Sequence, residues 1–203
     1  AASDVYKRQP LHTTDGIYWT AELELEVPQE GMTINYSYQI EQNGIVIRKE
    51  WDSFSRSIFL SGSSRKIYRI NDCWKNIPEQ LYLYSSAFTE ALLAHPEKEN
   101  IPQSYKKGLV IKAYTPRINK DYCLAICGNQ KSLGHWDPEK AVLMSDTNFP
   151  EWQIELDASK LKYPLEYKFI LYNKQEKKAD CWEKNPNRYL ADPELKLSLI
   201  HIS

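Results

Sequence analysis

The sequence predicts an all-β protein: two antiparallel β-sandwich modules of immunoglobulin-like type in tandem, the first truncated, with a short helical segment between them. Three observations carry this prediction. Apolar and polar residues alternate at period two through Ile34-Asn35-Tyr36-Ser37-Tyr38-Gln39-Ile40, the mark of a half-buried strand. Leu165, Tyr167, Phe169 and Leu171 repeat the pattern. The chain also repeats itself: Trp19–Leu25 lines up with Trp152–Leu156, Tyr36-Ser37-Tyr38 with Tyr167-Lys168-Phe169, and Trp51-Asp52 with Trp182-Glu183. The Tyr-to-Trp separation is the same in both copies, and Arg56 falls one residue short of the position of Arg188. A length of 203 residues accommodates two such modules.

Taken in order, the chain starts and ends on segments that do not read as its own. One codon choice for Asp4–Gln9 reads, on the opposite strand, as Leu197–Ile202, so residues 1–11 and 197–203 are set aside as foreign, adaptor-derived ends. The first module spans 12–72. Trp19 shares parity with Leu23 and is assigned to its core, and Asn43-Gly44 supplies a hairpin turn before Ile45-Val46-Ile47. Residues 73–107 form the inter-module segment, where Pro78, Pro96 and Pro102 bracket a short capped helix over Ser85–Leu93. Tyr82, Tyr84, Phe88, Leu92 and Leu93 are too apolar for a free linker, so the segment packs on one module or fixes the angle between the two, and Trp74 is assigned to packing. The second module spans 108–196, with Trp152 and Leu156 in its core and a turn at Asn173-Lys174-Gln175. By strand parity, Lys168 and Ser37 face away from the core.

Composition narrows the function. Lys and Arg total 26 against 27 Asp and Glu, a net charge of -1, which lacks the basic excess of a nucleic-acid binder and points to an uncharged partner. No apolar run approaches the roughly 18 residues of a membrane span. Cys123 and Cys127 fall in an apolar run and read as buried thiols, whereas Cys73 and Cys181 lack a near Cys or His neighbour, so no metal or cofactor is expected. The chain has no Gly-x-Ser-x-Gly, no phosphate loop and no His-Glu-x-x-His, and its acidic residues fall mostly on solvent-facing positions. No catalytic residue is assigned within it.

The most informative residues are Leu133-Gly134-His135-Trp136-Asp137, Pro150-Glu151-Trp152, Tyr167-Lys168-Phe169 and Cys181-Trp182-Glu183-Lys184-Asn185-Pro186-Asn187-Arg188. Trp136 and Trp182 stand in turn and loop contexts that favour exposure, and flat indoles suit the C–H faces of pyranose rings. Lys168, Glu183 and Asn187 offer donors and acceptors at the rim. In order and spacing, these stretches make residues 108 to 192 similar to a family-20 carbohydrate-binding module, the starch-binding domain. The resemblance implies that Trp136 and Trp182 stack on glucose units while Lys168, Glu183 and Asn187 make polar contacts. The family's second site uses tyrosines that have no match around Ser145 to Phe149 or before Cys123, so one site is expected.

Residues 12 to 70 resemble the same module with departures. Trp51 is retained, Ser37 replaces the lysine, Asp52 replaces the glutamate, and the first platform tryptophan has no counterpart, so Trp51 marks a weak site or none. Two such modules with a connecting segment resemble the N-terminal part of disproportionating-type 4-α-glucanotransferases of glycoside hydrolase family 77, whose catalytic carboxylates would lie beyond Ser203. The implied partners are α-1,4-glucans (starch, glycogen, maltooligosaccharides) and the catalytic domain of the parent chain, and the implied location is cytoplasmic, in keeping with unpaired thiols. Two alternatives stand beside this reading. The modules could dock on the parent's catalytic domain as protein-interaction sandwiches, or serve an amylase or glucan phosphatase instead.

Overall fold

The computed structural model describes residues 8–51, 55–62, 67–79, 105–116 and 118–192. It divides into two compact units, one comprising the described residues up to Glu79 and the other spanning Gln80–Asp192. Both are built from antiparallel strands, as the alternating patterns predict. The expected helix over Ser85–Leu93 and both foreign ends, apart from residues 8–11, lie outside the described residues.

The first unit contains β1 (Met32–Tyr36), β2 (Gln39–Gln42), β3 (Ile45–Lys49) and β4 (Arg56–Leu60), with β1 paired to β4 and β2 to β3. Its alternation is as predicted: Ile34, Tyr36, Tyr38 and Ile40 are partly buried while Thr33, Asn35, Ser37 and Gln39 are exposed. Asn43 and Gly44 both take positive φ, 53° and 77°, which is the mirror-image turn that matches strand twist in a two-residue hairpin. One expectation fails here. Trp19–Leu25 is not a strand, and Leu23 is 60% exposed, so the apolar face inferred from parity has no sheet to cover it. The described start of the inter-module segment, up to Glu79, packs on this unit: Trp51 N–H donates to Lys75 O at 2.9 Å, and Trp74 is buried beneath the guanidinium of Arg48.

The second unit is a two-layer sandwich. Its strands are β5 (Gly108–Tyr114), β6 (Tyr122–Gly128), β7 (Val142–Leu143), β8 (Ser145–Asn148), β9 (Glu151–Asp157), β10 (Leu165–Asn173), β11 (Lys178–Trp182) and β12 (Arg188–Leu190). One sheet has the order β11-β10-β6-β7 with β12 also on β10, and the other β5-β9-β8. Leu109, Ile111 and Ala113 pair with Leu156, Ile154 and Trp152, so the even positions of β9 give one inner face. Cys123, Ala125, Cys127, Ile170 and Tyr172 meet them from the other sheet, closing a core with Leu133, Leu165 and Met144. Trp152 thus lies in the core and the two strand cysteines are buried, as expected, with burial pushing both thiols above their ordinary pKa.

One parity assignment changes. Lys168 shares its side of β10 with Ile170 and Tyr172, which are 1% and 7% exposed, whereas Tyr167, Phe169 and Leu171 on the other side are only half-buried. β10 is a central strand, with β6 on one edge and β11 and β12 on the other, and none of its residues on either side is exposed. Polarity at one position therefore does not report which face meets the core. Lys168 is half-buried at the end of the inner side.

Candidate functional site

Trp136 is presented by an unusual turn. After β6 the chain enters a 3-10 stretch, Lys131–Trp136, in which Gly134, His135 and Trp136 have φ of 80°, 52° and 62°. Left-handed backbone at two consecutive non-glycine residues is costly and persists only where surroundings enforce it. Those surroundings are legible in the motif itself. Leu133 is fully buried against the core, and Gly134 leaves room that a Cβ would lose, since that atom would lie 2.8 Å from Lys140 O. Asp137 N–H closes the turn on Gly134 O at 2.9 Å. The Asp137 carboxylate then caps the next turn, Pro138–Lys140, accepting from Glu139 N–H at 3.1 Å and pairing with Lys140, which holds its pKa below the usual carboxylate range. Trp136 emerges half-buried from this frame.

Trp182 is the last residue of β11, paired with Ile170 and 36% exposed. Strand β11 touches the Pro138–Lys140 turn, which follows the stretch that ends in Trp136. The polar residues around Trp182 are bound to one another. Glu183 N–H donates to Phe169 O at 3.0 Å, and Phe169 N–H donates to the Glu183 carboxylate at 3.3 Å. Arg188 grips the same carboxylate through Nε at 3.1 Å to both oxygens and Nη2 at 2.6 Å to Oε1, with its guanidinium 4.9 Å from the Phe169 ring centroid. Lys168 Nζ donates to Glu183 O at 3.0 Å and Asn185 O at 2.8 Å. Asn187 Nδ2 reaches Glu166 at 3.4 Å and is exposed.

Four of the five predicted residues, Lys168, Trp182, Glu183 and Asn187, lie on β10, at the end of β11 and in the loop after it, and Trp136 ends the turn that precedes Pro138–Lys140. Their charged members are occupied within the protein, which fixes the loop from Glu183 to Arg188 before any ligand arrives. Arg188 and Glu166 belong to this constellation although neither was assigned a role from sequence. Arg188 did carry a signal, because it recurs as Arg56.

Residues 110–197 match the family model of the starch binding domain. The matched stretch begins in the first strand of the second unit and runs through all of its later strands. Solved structures similar to the chain include the family 20 carbohydrate-binding module of a maltotetraose-forming amylase from Pseudomonas saccharophila (18% identity, 47% of this chain and 96% of that one, TM-score 0.39). They also include a family 15 glucoamylase from Hypocrea jecorina (19% identity, 52% of this chain, TM-score 0.36) and a γ-CGTase from an alkalophilic Bacillus clarkii (18% identity, 48% of this chain, TM-score 0.32). The chain spans only 18% and 14% of those two proteins. No curated protein sequence matches it.

The second unit gives a register against which the first can be read. Tyr36 pairs with Arg56 as Tyr167 pairs with Arg188, and Gln39 pairs with Lys49 as Ile170 pairs with Trp182. Each hairpin has a register shift at the same point, between Ile40 and Glu41 and between Leu171 and Tyr172. Arg56 grips Glu50 at 3.1 and 2.9 Å, Glu50 exchanges hydrogen bonds with the Tyr38 backbone, and edge-on ring pairs at 5.8 Å join Tyr36 to Tyr38 and Tyr167 to Phe169. By this register Glu50, not Asp52, answers to Glu183, and Lys49 stands where the second unit has Trp182.

Trp51 therefore does not correspond to Trp182. It is buried, 8% exposed, and packs within its unit, so it offers no platform of the kind expected from sequence; Asp52 lies outside the described residues. The physical reason is hairpin length. Tyr38 and Glu50 are 12 residues apart, Phe169 and Glu183 are 14, and equal Tyr-to-Trp spacing across unequal hairpins aligned residues that lie two positions apart in register.

Proposed function

We propose that the second unit binds α-1,4-glucan non-catalytically, stacking glucose rings on Trp136 and Trp182 with Lys168, Glu183 and Asn187 at the rim. The observation that carries this is an exposed indole, Trp182, at the mouth of a preformed polar loop within the stretch that matches the starch-binding family. Stacking needs an indole held still in water-accessible space, which reduces the entropy lost on binding a flexible oligosaccharide. The test is retention of the whole chain on immobilised amylose or a cyclodextrin. Trp136→Ala and Trp182→Ala should each weaken it by tenfold or more, about 1.4 kcal/mol or greater. Unchanged retention in both would remove the assignment.

We further propose that the two units are tandem copies of one module serving a larger, cytoplasmic 4-α-glucanotransferase. The matched ladders and paired Arg–Glu clasps support the duplication, and the arrangement of the sequence supports the parent. A second reading applies to the first unit alone. With Lys49 in place of the outer tryptophan and Ile45 and Ile47 exposed at 68% and 58%, it suits contact with protein better than with sugar. Calorimetric titration with maltoheptaose separates the two: one site per chain supports a protein-facing first unit, two sites a pair of glucan binders.

A further inference from the structure

Tyr189, the middle residue of β12, is 63% exposed, more than any other aromatic among the described residues of the second unit. A single exposed ring needs no explanation, since much of any protein surface is apolar. The register sets Tyr189 apart from that case. Directly opposed residues of an antiparallel ladder project to the same side, and along one strand the sides alternate. Trp182 pairs with Ile170 and Tyr189 with Glu166, so both rings stand on the side of β10 that carries Glu166, Lys168 and Ile170. They also share an edge, because β11 and β12 line β10 one after the other, opposite β6. The two positions are four residues apart along β10, about 13 Å at the rise of a strand.

The polar loop lies between them. The chain leaves the ladder after Trp182 and rejoins it where Arg188 pairs with Tyr167, and Lys184, Asn185, Pro186 and Asn187 on the way are all exposed. Asn187 Nδ2 rests on the Glu166 carboxylate at 3.4 Å, and Glu166 is the residue directly opposite Tyr189. The end of the loop therefore leads onto the tyrosine. Indole, polar loop and phenol follow one another along one edge, which suits a ligand that is long and offers apolar ring faces and hydroxyls in alternation. One sugar ring covers one platform and cannot reach both; a chain of several can.

We infer that Tyr189 is a further stacking platform, taking a glucose unit beyond the one on Trp182 and making the site favour long α-1,4-glucans over short ones. The inference rests on the glucan-binding reading above and adds to it one residue and a preference in chain length. A tyrosine fits the position, because its ring face covers a pyranose while its hydroxyl stays with water or a sugar hydroxyl.

The test compares the whole chain with Tyr189→Thr, which removes the ring and keeps a strand-forming residue, and with Tyr189→Trp, which keeps a flat ring. Dissociation constants are measured by NMR shift titration for maltose, too short to span the two platforms, and for maltoheptaose. Tyr189→Thr should weaken maltoheptaose about fivefold or more and leave maltose unchanged, while Tyr189→Trp keeps the wild-type preference for the longer sugar. An unchanged ratio of the two constants in Tyr189→Thr overturns the inference, and so does an equal loss for both sugars, which means that the ring merely supports the loop. If Tyr189→Thr fails to fold, Tyr189→Val is read by the same ratio. A wild type that binds neither sugar removes the functional reading and this inference with it, whereas a wild type that binds both with a ratio insensitive to Tyr189 removes the inference alone.

Discussion

Arg188 lies against both oxygens of Glu183, and Glu183 in turn exchanges two hydrogen bonds with the backbone of Phe169, so one carboxylate ties β10, the end of β11 and the start of β12. The Glu183 side chain is 14% exposed and the Arg188 side chain 40%. Solvent screens the arginine and discounts the Coulomb term, but the backbone N–H of Phe169 loses its acceptor if the carboxylate goes. Glu183→Ala should therefore cost more than Arg188→Ala: about 2 kcal/mol against about 1 kcal/mol, or roughly 8–16 °C against 4–8 °C in Tm for a domain of this size. Thermal unfolding of the two variants checks the order, and equal losses would reduce the clasp to a simple surface ion pair.

Trp51 and Trp182 should separate stability from binding. Trp51 is buried, so Trp51→Ala opens a cavity and is expected to destabilise its unit by about 3–5 kcal/mol with glucan retention unchanged. Trp182 gives up little packing, so Trp182→Ala should shift stability by under about 1 kcal/mol and abolish most retention. Denaturant unfolding followed beside amylose retention reads both quantities. A loss of retention in Trp51→Ala at temperatures where the second unit is folded would contradict the division.

What the sequence made legible follows from the kind of physics each pattern reports. Period-two alternation is a surface property of a strand with one wet face, and it placed Ile34 to Ile40 correctly. It misjudged Lys168, because a strand with no exposed residue on either side does not betray its parity. Asn43-Gly44 was readable because its left-handed pair is a local backbone requirement. The Leu-Gly-His-Trp-Asp run was readable for a similar reason, each residue answering a need of one turn. The correspondence of Lys49 with Trp182 was not, since register across two hairpins depends on which backbone pairs form, and a two-residue difference in hairpin length is invisible to spacing counts. Trp19–Leu25 shows the converse failure: an apolar alternation without a partner strand stays exposed at Leu23.

Gly134 should be intolerant of any side chain. Its φ of 80° is left-handed, and a Cβ would press to 2.8 Å from the carbonyl oxygen of Lys140, a backbone atom that cannot swing aside. Gly134→Ala is expected to cost about 1–3 kcal/mol and to move Trp136, weakening glucan retention in the same variant. Gly44→Ala is the control. It also has positive φ, but a Cβ there meets nothing within 4 Å and Gly44 lies in the first unit, so it should lose stability without losing retention.

The first unit should carry a steep alkaline pH dependence centred on two phenols that share one carboxylate. Tyr36 and Tyr38 both donate to Asp72 Oδ2 at 2.9 Å, and Arg56 reaches the other oxygen at 3.1 Å. Burial, followed by the charge of Asp72, pushes both phenols well above their ordinary value near 10. A raised folded pKa means that the folded state keeps protons the unfolded state has released. The stabilisation is complete below about pH 10 and falls as pH rises through and beyond it, by up to about 1.4 kcal/mol per phenol per pH unit. The first unit should then unfold in alkali before its core is otherwise stressed. Tyr36→Phe/Tyr38→Phe removes two donors from Asp72, so it should be less stable at pH near 8 yet lose less between about pH 9 and pH 11. Urea unfolding across that range gives the two slopes. Parallel slopes for wild type and double variant would show that these phenols do not govern the alkaline limit.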